Sequence, residues 1–291
     1  ALAIALTCLM HFVWVIGAWR YERDFELLPI SAARTFDEGV WLWLYHSQHG
    51  VYLFFVLSGF LLTSRWFAPT SPALGRYLGD RALRTLPGAW LAITAMLVLL
   101  ALADKTPADA ALRWLENAFF LNWFRADDTH HLLIVTWSLQ AEWIFYLMLP
   151  LIWLFAHQTG ARPRTWVLLL IGGSAVVLLK LTSLRGGAYA LFFTAGALCA
   201  LKREDWRQSI RAIPWWSVIV AYVVVNLAYA WTTPTAAKLQ PLGFSAFDLH
   251  ALAFAAVVAA LLLKVADHTF ADSAVVRVGL HIGRISYSIY L

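Results

Sequence analysis

The stretch HGVYLFFVLSGFLLTSRW, residues 49–66, decides how the chain is read. It opens on aromatic and branched apolar residues, as a membrane helix does. It then interrupts that run with Ser58 and Gly59 and closes on Arg65. A glycine inside an apolar helix lets a second backbone approach. Ser58 and Arg65 lie nearly two turns apart and so share a face. The segment therefore reads as one helix of a packed bundle, with a polar lining and a cationic end. The plainer reading of Arg65 is a side chain that snorkels to the interface.

The rest of the chain fits that reading. Of 291 residues, 61% are hydrophobic and 13% charged, against nearly half and a quarter in soluble domains. Sixteen tryptophans add the aromatic content of membrane interfaces. Apolar runs at 1–19, 51–67, 87–103, 137–156, 166–181, 187–201, 215–231, 250–265 and 279–291 each approach the ~20 residues of a spanning helix. The expected fold is all-α: a polytopic transmembrane helix bundle of about nine helices here and about ten in the intact domain. One integral membrane domain is expected over 1–291. The chain opens and closes inside apolar runs, so both ends read as truncated. Cys8 and Cys199 sit in apolar runs and read as small buried hydrophobes.

With the N-terminus placed in the cytoplasm, 13 of the 22 basic residues and 5 of the 17 acidic ones fall on the inside. That is a net +8 inside and −3 elsewhere, the asymmetry that retains basic loops in the cytoplasm. The overall +5 is thus a topology signal. The basic residues are shared among short loops rather than gathered on one face, so no nucleic-acid partner is expected. The expected partner is the bilayer.

Ionisable residues within spans are costly and mark functional positions. His11 lies inside the first apolar run. In TWSLQAEWIFYLMLP, residues 136–150, four-residue steps stack Ser138, Glu142 and Tyr146 on one face. The plain alternatives are a hydrogen-bonded core histidine and a helix-to-helix hydrogen bond. Arg65, Arg81 and Arg84 gather at one cytoplasmic mouth, and Pro87 suits the first turn of the next helix. Forked arginine donors suit an anionic ligand, although positive-inside bias alone gathers such residues too. RADDTHH, residues 125–131, reads as a solvated extracytoplasmic loop, and no metal is expected. His46 and His49 read as loop residues.

Together these segments resemble the acyltransferase-3 family of bacterial integral membrane acyltransferases. ALAIALTCLMH is similar to the family's first helix with its histidine. FFVLSGFLLTSR is similar to its second-helix signature, and RALRTLP to the basic stretch before its third helix. WSLQAEWIFYLMLP and GRISYSIYL resemble its later motifs, in the family's order. The family's first-helix arginine would fall one residue before Ala1. Tyr52 stands where the family more often has an acid.

The resemblance implies transfer of an acyl group, commonly acetyl, from cytoplasmic acyl-CoA, here acetyl-CoA, in the bacterial cytoplasmic (inner) membrane. The acceptor it implies is a hydroxyl of an extracytoplasmic carbohydrate or glycolipid. A hydroxyl needs a base as it attacks, and histidine suits that task near neutral pH. His11 is then the general base, or it briefly carries the acyl group. Glu142 orients or charge-balances His11, or lines the acceptor site. Tyr146 and Ser138 donate hydrogen bonds to the thioester oxygen or the sugar. Ser58 lines the path on the donor side, and Arg65, Arg81 and Arg84 hold the CoA phosphates. Intramembrane His, Glu and Arg also serve proton-coupled transporters, but the chain has no inverted repeat or pair of matching broken helices. A structural or sensory membrane protein is the third class.

Overall fold

The computed structural model describes residues 2–22, 28–46, 50–124, 131–133, 136–158, 186–232, 246–268, 277–278 and 281. It is all-helical: among these residues there is no strand. The α-helices are α1 (Leu2–Tyr21), α2 (Phe36–His46), α3 (Gly50–Trp66), α4 (Leu74–Leu102) and α5 (Ala110–Ala118). They continue as α6 (Trp137–Gln158), α7 (Gly186–Ala212), α8 (Trp215–Thr232) and α9 (Ala246–Asp267). Eight of them have 11 residues or more.

The expected count of nine crossing helices is corrected. Among the described residues, two helices are long and apolar enough to cross a membrane, Leu74–Leu102 and His250–Asp267. A third crossing is added if Tyr189–Ala212 and Trp215–Trp231, bent by 97° at their junction, form one broken span. The expected spans at 166–181 and 279–291 lie outside the described residues.

Two further differences concern boundaries. The helix expected to begin at Pro87 begins at Leu74 and carries Pro87 in its interior. Proline deletes one backbone donor, but membrane helices tolerate it where neighbours compensate. The loop expected before the second span contains helix α2. Thr35 caps it: the Glu38 backbone N–H donates to Thr35 Oγ1 at 3.1 Å. The Arg34 N–H donates to the Glu38 carboxylate at 2.5 Å. This is close to the reciprocal pattern of a capping box.

Helix α3 is the axis of the bundle, and α7 is its main partner. Their backbones meet through two glycines. A Cβ on Gly59 would collide with the Phe193 carbonyl, and one on Gly196 with the Val56 carbonyl. Around this crossing Tyr52 stacks on Phe192 with centroids 4.4 Å apart. Phe55 meets Phe193 at 4.6 Å, and Phe145 of α6 stacks on Phe193 at 4.5 Å. Tyr52, where the family more often has an acid, is thus a packing residue here. At the other end of α3 a Cβ on Gly50 would collide with Ala3 and Thr7 of α1.

A backbone carbonyl cannot swing aside as a side-chain tip can, so a branched residue at Gly59 must push α3 and α7 apart. Gly59→Val is expected to cost at least the ~1–3 kcal/mol of overpacking. The readout is the thermal midpoint of the detergent-purified protein. Gly75→Ala is the control, because nothing lies within 4 Å of a Cβ there. Equal midpoints for the two variants would show that the crossing tolerates separation.

Phe67, Ile152, Ala197 and Leu201 pack in one cluster. It sets the C-terminal ends of α3 and α6 level with the middle of α7. Arg65, Arg81 and the basic tail of α7 accordingly lie toward one end of the bundle.

Candidate active site

Glu142 is the hub of a polar cluster inside the helices. The i,i+4 spacing on α6 places Tyr146 directly below it, and the Tyr146 hydroxyl donates to Glu142 Oε1 at 2.5 Å. Across the helix contact, Ser58 Oγ of α3 donates to the same oxygen at 2.9 Å. The serine that interrupts the apolar run of α3 therefore has a partner 84 residues away. The indole N–H of Trp143, next along α6, donates to Thr85 Oγ1 of α4 at 2.9 Å, tying that face of α6 to the basic segment of α4. Ser138 is buried one turn above Glu142.

The cationic end sits beside this cluster. The Arg81 guanidinium carbon lies 5.8 Å from the Tyr146 ring centroid, within cation–π range. Arg65 faces Asp80 at 3.8 Å, with both side chains half-exposed. Arg84 is exposed. Two residues outside the sequence-based set join them. Tyr77, one turn before Arg81, meets Tyr146 with centroids 6.4 Å apart and Trp66 at 5.1 Å.

The hydrogen-bonding capacity here is not used up. Thr63 Oγ1, Trp66 Nε1, Tyr77 OH and Arg81 Nε are buried without a hydrogen-bond partner. Buried polar groups are normally paired, and each exception calls for an account. Trp66, Tyr77 and Arg81 are linked through the Tyr77 and Tyr146 rings, and their polar atoms form a lining of donors suited to an anionic or carbonyl-bearing ligand.

His11 lies apart from this cluster. Its Nδ1 is 2.9 Å from the Thr7 carbonyl. A carbonyl only accepts, so Nδ1 carries the hydrogen and, in the neutral ring, Nε2 carries the lone pair. That is the form a base needs. Glu142 accepts from Ser58 and Tyr146, and among the described residues no hydrogen bond joins it to His11, so of the two expected roles the direct orientation of His11 is not made here. Helix α3 links the two regions instead. Gly50 packs at Thr7, one turn from His11, and Ser58 follows about 12 Å further along the axis.

His46 and His131 differ from the loop reading. His46 ends α2 and is 1% exposed. Its Nε2–H donates to the Leu28 carbonyl at 2.8 Å, and burial holds its pKa below the usual histidine value. His49 and residues 125–130 lie outside the described residues. His131 is drawn into an amide network rather than solvated. Asn122 Nδ2 donates to His131 Nδ1 at 2.8 Å, and Gln140 Nε2 donates to Asn122 Oδ1 at 2.7 Å. The Leu132 backbone N–H donates to Asn117 Oδ1 at 3.2 Å. This network pins the segment after α5 to the first turn of α6, and so fixes where Glu142 stands.

The acyltransferase-3 family model, described as an acyltransferase domain, matches residues 1–291. Neither the curated proteins nor the solved structures gave a match.

Proposed function

The chain belongs to the acyltransferase-3 family, which makes it a membrane acyltransferase, and on that premise we propose that it carries acyl groups, acetyl foremost, from cytoplasmic acyl-CoA to a hydroxyl of an extracytoplasmic carbohydrate or glycolipid. We place it in the bacterial cytoplasmic membrane with its N-terminus inside. The observation that carries this reading is the arrangement along α3. Arg65 and the unpartnered Arg81 Nε lie at one end, the Ser58–Glu142–Tyr146 cluster in the middle and His11 beyond it.

In this reading the CoA phosphates rest on Arg81 and Arg84, with Arg65 closer to the thioester. Tyr146 and Ser58, oriented by Glu142, line the path, and the buried donors of Trp66 and Tyr77 face the carbonyl-rich arm of CoA. Ser138 stands on the acceptor side of the same face. His11 Nε2 takes the acceptor proton as the hydroxyl attacks the thioester carbonyl; the C–S bond then breaks and the thiolate leaves. A brief acyl-His11 intermediate is the other route. The test is turnover of radiolabelled acetyl-CoA by purified protein reconstituted with an envelope glycan fraction. Transfer of label to glycan supports the reading, and absence of any acyl release overturns it.

Phosphate contacts are made equally in ground and transition states, so losing one raises KM more than it lowers kcat. Arg81→Ala and Arg84→Ala are each expected to raise the acyl-CoA KM by about 10- to 150-fold, at ~1.5–3 kcal/mol per charged hydrogen bond. Arg65→Ala is expected to lower kcat as well. Lysine should replace arginine poorly at either position of α4 if a forked contact is used. Steady-state kinetics at saturating acceptor checks this, and an unchanged KM in all three variants reduces them to topology anchors.

A further inference from the structure

A second polar site lies away from Glu142, where the ends of α7 and α9 meet the first turn of α8. The 97° bend between α7 and α8 leaves a cavity of about 220 Å³ lined by Ile210, Arg211, Trp215, Lys264, Asp267 and His268.

Lys264 is the unusual residue in it, being only 7% exposed. Its ammonium donates to the carbonyls of Ile210 at 3.0 Å and Ile213 at 2.5 Å, where α7 ends. It also lies 5.1 Å from the Trp215 ring centroid. These partners are dipoles and a π face; no carboxylate bonds it among the described residues. Asp267, the acid of the lining, is taken by Arg207 Nε at 3.0 Å and by Arg211 Nε. Arg203 is also held here, donating to the Ala266 carbonyl at 2.8 Å. Positive charge is therefore in excess at the mouth. A buried cation without a counter-charge is costly, and an anion entering the adjoining cavity relieves that cost.

The surroundings say which anion. Trp215 lines the cavity and is exposed, as are its neighbour Trp216 and, one turn before Ile210, Trp206, the signature of a membrane interface. Beyond them α8 exposes Ile219, Val220 and Val224, an apolar strip that runs from the cavity along the helix. Basic pockets between membrane helices suit anionic headgroups. We propose that this cavity binds the phosphodiester of an anionic phospholipid, with the acyl chains lying along α8. Lys264 supplies the buried point charge and Trp215 the wall. The Nη groups of Arg211, 58% exposed, supply the fork. The site is independent of acyl transfer, and its effect is to fix the α7–α8 bend at the membrane surface.

The experiment is native mass spectrometry of the purified full chain with phosphatidylglycerol and, separately, phosphatidylcholine. Preferential retention of one phosphatidylglycerol is expected. Lys264→Met and Arg211→Glu are each expected to weaken it by about 10-fold or more, the lower end for a charged hydrogen bond. Lys264→Met removes a helix cap and can unfold the bend; the exposed Arg211→Glu decides the matter if it does. Equal retention of both lipids overturns the proposal, as does unchanged retention in Arg211→Glu. Displacement of the lipid by excess inorganic phosphate or by CoA also overturns it and assigns the cavity to a soluble phosphate.

Discussion

His11→Ala is expected to leave a folded membrane protein without acyl-transfer activity. The fold should survive because the ring is only partly buried and its hydrogen bond is local, to the Thr7 carbonyl one turn back. That carbonyl keeps its backbone environment when the ring is lost. The chemistry should not survive. Positioned acid–base groups contribute ~10²–10⁴-fold, and a route through an acyl-histidine would lose more. The Thr7 contact also fixes which nitrogen reacts, so His11→Gln, which keeps a polar side chain but no basic nitrogen, is expected to be as inactive as alanine. Radiolabel transfer from acetyl-CoA is the measurement, with the thermal midpoint as the control for folding. Turnover like that of the wild type in either variant removes His11 from the mechanism.

Glu142→Gln is expected to lower turnover by at least ~100-fold, the low end of an acid–base or electrostatic contribution, with little change in yield. Glutamine is nearly isosteric, and its one carbonyl oxygen can still accept from Ser58 and Tyr146. What it loses is charge: both contacts fall from charge-assisted to neutral hydrogen bonds, which are about half as strong. Tyr146→Phe and Ser58→Ala each remove one donor and leave the carboxylate, so they separate the two contacts. If Glu142→Gln fails to accumulate in the membrane while Tyr146→Phe remains active, the cluster is a helix-to-helix tie and its catalytic assignment falls.

Helix α3 shows how far sequence alone reaches. The glycine in the apolar run of α3 reads correctly as a close approach of a second backbone, which Gly59 makes with Phe193. Which helix approaches is not legible. Phe193 and Glu142 are brought to α3 by tertiary packing, which no local periodicity encodes. Tyr77 and Trp66 are absent from the sequence-based site for a related reason: aromatic residues at a membrane interface are ordinary until their polar atoms prove unpartnered. Helix α2 had a signal that was not used, the Thr35–Glu38 spacing of a cap. The N-terminal half of α4 was lost to Pro87, a stronger punctuation mark in water than in a bilayer. The amide network of Asn117, Asn122, His131 and Gln140 joins residues from three separate segments, so composition could not reveal it.

The interlocked glycines of α3 and α7 carry a consequence for biogenesis. Gly59 and Gly196 are 137 positions apart, which at ~5–20 residues per second of synthesis separates their emergence from the ribosome by about 7–27 s. Glu142, the partner of Ser58, arrives within that interval. Helix α3 is thus made with a bare glycine groove, an unsatisfied hydroxyl and a terminal arginine, and must wait for the helices that cover them. Maturation of the α3–α7 contact is a late event, paced by translation of α7 rather than by formation of α3. Slowing or pausing the ribosome between these segments lengthens the exposure of the groove, and a membrane chaperone that shields small-residue faces would act on the nascent chain in that window.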